Sequence, residues 1–362
     1  MPRQLDILAL EPFYGGARRA MLETVIRCSR HRWTLLKLPP RRIERRLTAA
    51  ANWFAEQLTR HWAGSVDLLF TSEALNLANL NRMMPMLARK PSVVYFHSNE
   101  LPRPGADGGS LELVNLNTAA AATEIWFNSS YHLETFVERA AAVVTRHAEL
   151  SSQDPIPHVR SKARVMFEPI DLGAANAIAP ARKPVRNPRA IFVETRDVDI
   201  ELLNDALERL VRRGEQFKLI TTGPVEQLAE QFDRRTISEI DEVGQMIGLL
   251  EAGIFLSAKR FAPGDYLAIR GMVAGCWPLL PAAGCYLELL PGDFEDPGQY
   301  LYELSAAELS HRLSTVLGTN PQAPVAEFRQ LFHAFDALNA CRAFDERLQQ
   351  IVESHGSRGS SK

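Results

Sequence analysis

Short apolar runs alternate along the chain with longer stretches whose apolar residues recur every three or four positions. "LDILAL" near the N-terminus predicts a buried strand, followed by the turn "EPFYGG" and the helix "ARRAMLETVIRCS". "RWTLLKL" predicts the next strand, and residues 41 to 62 a long amphipathic helix. "VDLLFTS", "SVVYFHSNE" and "EIWFNSS" predict three more strands, each ending in polar residues. Strand–helix repetition of this kind predicts a parallel α/β sheet. Such sheets bind ligands at the strand C-terminal edge, where loops and helix N-termini converge.

The periodicity lapses over residues 173–188, which are rich in Ala and Pro and read as a linker. It then restarts with the strand "AIFVETR", the helix "DIELLNDALERLVRRG", the strand "FKLITTG" and the helix "VEQLAEQF". "MIGLLEAGIFLSA" and "WPLLP" add a helix–strand step and a further strand. The expected architecture is α/β, with two Rossmann-like domains (1–172 and 189–325) facing a cleft. A helix over 326–355 is expected to pack back toward the first domain, and the polar tail 356–362 to be disordered.

Composition agrees with two domains, because 362 residues at 46% apolar exceed one typical core. A net charge of -2 argues against a uniformly basic nucleic-acid binder. The charge is uneven, however: residues 1–60 hold twelve Lys/Arg against five Asp/Glu. Arg18 and Arg19, and Arg41, Arg42, Arg45 and Arg46, form two clusters that suit a phosphate, nucleotide or RNA, or a solvated helix face. The four cysteines show no CxxC pair and no metal spacing, so a reduced cytoplasmic protein without structural zinc is expected. The first residues do not read as a signal peptide, and no run reaches the ~18 apolar residues of a membrane span.

Candidate chemistry lies at the predicted strand ends. Gly15 and Gly16 in "EPFYGGARR" let backbone approach a ligand at a helix N-terminus, or simply make a tight turn. His97 in "YFHSNE" is placed to move a proton near neutral pH, or to serve as a satisfied loop residue. Asn128 and Ser129 in "IWFNSSYH" are ligand contacts or a helix cap. Arg196 and Gly223 end two strands of the second half, where a diphosphate is readily held.

In chain order, "LEPFYGG", "LLFTS", "VVYFHSNEL", "IWFNSSYH" and "AGCWPLLP" resemble the tRNA-queuosine α-mannosyltransferases, a GT-B group close to retaining family-4 glycosyltransferases. The resemblance implies a nucleotide-sugar donor, GDP-mannose, in the second domain and queuosine of a tRNA anticodon loop against the first. It implies retention without a metal or other cofactor, with positive side chains neutralising the leaving diphosphate. His97 and Asn99 become the catalytic candidates. Gly15, Gly16, Arg18, Arg41, Arg46, Asn128 and Ser129 become acceptor-binding candidates, and Arg196, Gly223, Arg270, Gly275 and Glu288 donor-binding ones. The chain also departs from the family pattern. "FHENQ" is here "FHSNE", "GGSH" is "GGAR", and both tryptophans of "LPARKWHWRMR" are lost. A lysine shortly after Arg196 is missing, and the paired donor-site glutamates align with Ala262 and Arg270. In the family the second glutamate holds the ribose hydroxyls, which an arginine cannot do as an acceptor. Three readings follow: a transferase with that specificity, one with another donor whose extra anion meets Arg270, or a GT-B-shaped binding protein without catalysis. An Arg270 that pairs with Asp265 or Glu194 would favour the last.

Overall fold

The computed structural model describes residues 3–61, 64–102, 111–147, 154–224, 228–239, 241–294 and 296–359. The chain divides into two compact units, one of Met1–Pro169 with Ala337–Lys362 and one of Ile170–Asp336.

In the first unit the strands are β1 (Asp6–Glu11), β2 (Arg32–Lys37), β3 (Leu68–Ser72), β4 (Ser92–Phe96), β5 (Glu124–Phe127) and β6 (Ala163–Val165). They pair in parallel in the order β2-β1-β3-β4-β5-β6. Every residue of β3, β4 and β5 is buried, which is why these strands read as continuous apolar runs without alternation. One face packs Ala50, Phe54 and Leu58 of the helix Ile43–His61 against Leu69, Val94 and Phe127. On the other face Met21, Leu22 and Val25 share a core with Phe344, Leu348 and Ile351 of the helix Ala337–Gly359. Asp345 of that helix accepts hydrogen bonds from Ser29 Oγ at 2.5 Å and from the Arg30 amide at 2.8 Å.

That last helix begins later than the expected residue 326. Val325–Leu331 is a separate helix of the second unit, and a 3-10 turn, His333–Phe335, breaks the run. The Phe335 carbonyl accepts from the Ile170 amide at 2.8 Å, so it serves the join between segments instead of a continuing helix. At its far end the helix runs through Gly359, into the stretch expected to be disordered; residues 360–362 lie outside the described residues.

The second unit contains β7 (Asn187–Glu194), β8 (Lys218–Thr222), β9 (Arg234–Ile237), β10 (Ala252–Leu256), β11 (Trp277–Pro281) and β12 (Leu301–Tyr302). Their order is β12-β11-β10-β7-β8-β9, again all parallel. Residues 173–188, expected as a linker, belong to this unit. They make 3-10 turns at Ala174–Ala177 and Pro180–Arg182, and β7 already starts at Asn187. Of the helix expected over "VEQLAEQF", residues 225–227 lie outside the described residues. The remainder is a turn, because Asn204 Oδ1 takes the Ala229 amide and Arg234 takes the Leu228 carbonyl. Each sheet has one topological switch point, between β1 and β3 in the first unit and between β7 and β10 in the second. In parallel sheets the ligand crevice opens at the strand C-terminal side of that point.

Candidate functional site

Two acids flank the switch point of the first unit. Glu11 ends β1, is 2% exposed, and accepts from the Phe13 amide at 2.7 Å and Ser72 Oγ at 3.0 Å. Burial pushes its carboxyl above the ordinary range, against the pull of the Arg18 guanidinium. Glu73 follows β3 and is equally buried, but it is surrounded by donors. It is ion-paired with Arg18 and accepts from the His97 and Ser98 amides at 3.2 and 3.1 Å and from Ser98 Oγ at 3.0 Å. Burial alone would raise its pKa; the Arg18 charge and the His97 amide outweigh that and hold it below 4.5. A carboxyl depressed in the folded state adds stability that is present above its unfolded pKa and lost as pH falls through the folded value. Glu73→Gln is therefore expected to cost the first unit about 3 kcal/mol at neutral pH by leaving Arg18 buried beside a neutral amide. The same variant is expected to flatten the loss of stability below about pH 4.5, a comparison made by urea midpoints across pH 3–7.

His97 follows β4 and Glu168 lies three residues beyond β6, both 8% exposed. His97 Nδ1 is 3.3 Å from Glu168 Oε1. The contact lacks hydrogen-bond alignment, and both His97 nitrogens and Glu168 Oε1 have no hydrogen-bond partner among the described residues. The Tyr95 ring packs 4.7 Å from the imidazole and helps fix its plane. Buried polar atoms are nearly always satisfied in folded proteins, so an imidazole and a carboxylate left unsatisfied together mark a place where proton chemistry or ligand binding is favoured over stability. The proton-moving role considered for His97 is compatible with this geometry, whereas a fully satisfied loop histidine is not.

The neighbouring candidates hold that loop in place. The buried ring of His132, which the sequence reading passed over, bonds Asn99 Nδ2 through Nε2 at 3.0 Å and Asn128 Oδ1 through Nδ1 at 2.8 Å. Burial pushes the His132 pKa down to about 3, so the ring is neutral and bridges the two amides. Asn128 Nδ2 in turn donates to the His97 carbonyl at 3.3 Å. Asn99, expected beside His97 as a reacting group, thus uses its amide to order the loop. Ser129 caps the helix Ser130–Arg146 by accepting from the His132 amide at 2.9 Å.

Of the other acceptor candidates, Arg18 is not aimed at solvent; it is buried against Glu73. Gly15 packs so closely on Pro40 that a Cβ would lie 2.6 Å from the proline ring, and Gly16 opens the helix Gly16–Cys28 at φ 54°. Arg46 donates to the Pro39 carbonyl at 3.0 Å, and Arg41 is exposed beside it. The turn of the two glycines and the basic segment are therefore neighbours in space.

At the switch point of the second unit, Glu194 ends β7 and Lys259 follows β10. The Lys259 ammonium is ion-paired with Glu194 and lies 3.1 Å from Asp265 Oδ2. Tyr286 OH donates to the same Asp265 oxygen at 2.7 Å and lies 2.6 Å from Ser257 Oγ, while Asp265 Oδ1 caps the helix Tyr266–Ala274 through the Ala268 amide at 3.0 Å. Burial disfavours the Lys259 charge, yet Asp265 and Glu194 outweigh it and hold its pKa above the usual lysine range.

Arg196, two residues past β7, pairs with Glu239 at 2.8 Å. Gly223 has φ 75°, and a Cβ there would meet Glu239 Oε1 at 2.8 Å, so the glycine makes room for that carboxylate. Ala262 is buried, and its carbonyl accepts from Cys285. Arg270 pairs with neither Asp265 nor Glu194. Two donor candidates remain. Gly275 caps the C-terminal end of its helix at φ 99°, against Arg186, on the edge where β11 begins. Glu288 is exposed on the short helix Tyr286–Leu289, which follows β11 at the strand C-terminal edge and carries Tyr286.

Residues 6–170 match the family described as tRNA-queuosine alpha-mannosyltransferase N-terminal. The chain resembles the tRNA-queuosine alpha-mannosyltransferase family. A tRNA-queuosine alpha-mannosyltransferase of Drosophila melanogaster is 23% identical over 313 residues, which cover 79% of this chain and 81% of the fly protein. Among solved structures, Anabaena HepE in complex with UDP and glucose is similar with a TM-score of 0.66 at 14% identity, over 96% of this chain and 100% of its own. The catalytic domain of Starch Synthase IV from Arabidopsis thaliana, bound to ADP and acarbose, gives 0.67 at 10% identity, over 98% and 100%. The fold is α/β, GT-B. The match to the tRNA-queuosine alpha-mannosyltransferase family takes in Glu11, Arg18, Glu73, His97 and Glu168, the whole strand-end cluster of the first unit.

Proposed function

We propose that the protein is a glycosyltransferase that moves a hexose, mannose of GDP-mannose, onto queuosine in a tRNA with retention of anomeric configuration and without a metal. The observation that carries the reading is the pair His97–Glu168, buried with unsatisfied nitrogen and oxygen atoms at the sheet edge of a unit that matches this family. The fly relative bears the name of that reaction, and the Anabaena structure is named for its UDP and glucose. In this reading the exposed Arg41, Arg42 and Arg45 beside the Gly15 turn meet tRNA phosphates, a contact weakened by salt. The second unit takes the nucleotide sugar, and the reaction belongs in the cytoplasm. Incubation with radiolabelled GDP-mannose and queuosine-containing tRNA tests the proposal directly. Label is expected in the tRNA, undiminished by EDTA. No label, with a competent relative active in parallel, ends the specific claim.

A second reading is favoured by one observation: Lys259 is enclosed by two carboxylates of its own unit. A GT-B-shaped RNA-binding protein without transfer is its content. Calorimetry with several nucleotide sugars separates the two, because micromolar binding of any one of them removes the second reading.

A further inference from the structure

We infer that the second unit receives an oxyanion of its ligand, a phosphate or a carboxylate, on the guanidinium of Arg270. The inference builds on the nucleotide-sugar reading of this unit and names the group that the site is shaped to hold.

Arg270 lies one turn into the helix Tyr266–Ala274, which starts at the ligand edge of the sheet directly after the loop from β10. It is 7% exposed. A guanidinium stays charged at every physiological pH, so its burial requires compensation. Among the described residues it has no hydrogen bond and no ion pair; its guanidinium lies near the Tyr266 ring, with Cζ 5.9 Å from the ring centroid. A cation–π contact at that distance offsets only a small part of the desolvation of a buried charge.

The acids nearby are already engaged. Glu194 and Asp265 hold Lys259, Glu239 holds Arg196, and Asp199 holds Arg260. Asp265 is also five positions before Arg270, and residues five apart do not share a helix face. No described residue pairs with its charge, and an anionic ligand bound at this edge would supply the counter-charge. Arg196, two residues past β7, and Arg270, on the helix after β10, belong to elements that meet at the same strand C-terminal edge of the sheet. Arg196 is neutralised by Glu239, whereas Arg270 offers its full fork of donors to a planar or tetrahedral oxyanion.

The test is calorimetric titration of the full-length protein, R270Q and R270K with inorganic pyrophosphate, GDP-mannose, UDP-glucuronic acid and adenosine 3′,5′-bisphosphate. R270Q is expected to lose about tenfold or more in affinity for at least one probe, with R270K retaining part of it. Loss for pyrophosphate identifies the diphosphate as the group. Loss confined to the glucuronate points to a carboxylate on the sugar, and loss confined to the bisphosphate to a phosphate on the ribose. Equal binding of every probe by wild type and R270Q overturns the inference, and so does a wild type that binds none. Nucleotide sugars held equally well by both proteins leave the donor reading standing while the inference falls. Pyrophosphate binding that depends on Arg270, with no nucleotide sugar bound, does the reverse. Folding does not confound the test, because removing an uncompensated charge is expected to leave the thermal midpoint of R270Q at or above that of wild type in phosphate-free buffer.

Discussion

Lys259→Met is expected to destabilise the second unit by about 3–5 kcal/mol, as breaking a buried ion pair from one side does. Two carboxylates lose their shared cation in one step, and one of them, Asp265, has a side chain that is 0% exposed. The damage spreads along the bonds that Asp265 makes. Tyr286, fully buried, donates to Asp265 and contacts Ser257, while Tyr302 OH donates to the Ser257 carbonyl at 2.7 Å. The loop between β10 and the Tyr266–Ala274 helix is thus held by one polar network with Lys259 at its centre. The pH dependence identifies the mechanism. Without the ammonium, the pull that opposes burial at Glu194 is gone, so its carboxyl lies still further above its unfolded value. Such a group favours folding at low pH and loses that contribution as pH rises. Relative to wild type, the variant is therefore expected to recover stability between pH 7 and pH 5, measured by urea midpoints with Trp277 as the reporter of this unit. A midpoint that differs from wild type by the same amount at both pH values would reject the ion-pair account.

The strand-end rule exposed part of this chemistry in the sequence and hid the rest. His97, Asn128 and Arg196 stood out because each follows an apolar run that can only be a buried parallel strand, and the loop after such a strand reaches the ligand edge. Glu11, Glu73, Glu168 and Lys259 sit in equivalent places, within three residues of a strand end or at it, yet none of them stood out as a candidate. What sets them apart is pairing over distance: Arg18 with Glu73 across 55 positions, Lys259 with Glu194 across 65. Local periodicity carries no record of such contacts. A count of charged residues just past each apolar run would have flagged them. His132 was missed for the opposite reason. It lies inside a helix, where its burial depends on which face meets the Asn99 loop. Gly275 shows the rule's other limit: a glycine before a strand marks a helix end, and that end is on the far side of the sheet from the ligand edge.

In the transfer assay, His97→Leu is expected to lower kcat by about a hundredfold or more, the scale of a lost general acid–base group. Stability should move the other way. The imidazole and Glu168 Oε1 hold buried polar atoms without hydrogen-bond partners, so an apolar side chain of similar volume removes two of the three. The first unit is therefore expected to keep its urea midpoint or gain up to about 1 kcal/mol while activity collapses. Glu168→Gln separates positioning from proton transfer. Its amide preserves the shape beside Nδ1 but removes the carboxylate charge, so kcat should fall less than in His97→Leu while the urea midpoint stays near that of wild type. Asn99→Ala supplies the contrast. It unties the loop from His132 and leaves a buried, neutral ring nitrogen unsatisfied, so stability and activity should fall together. Activity lost with stability retained at His97, against joint loss at Asn99, distinguishes a reacting group from a loop support. If His97→Leu instead lost stability and activity in the proportion seen for Asn99→Ala, the imidazole would be a structural residue, and the transferase reading would need a different acid–base group.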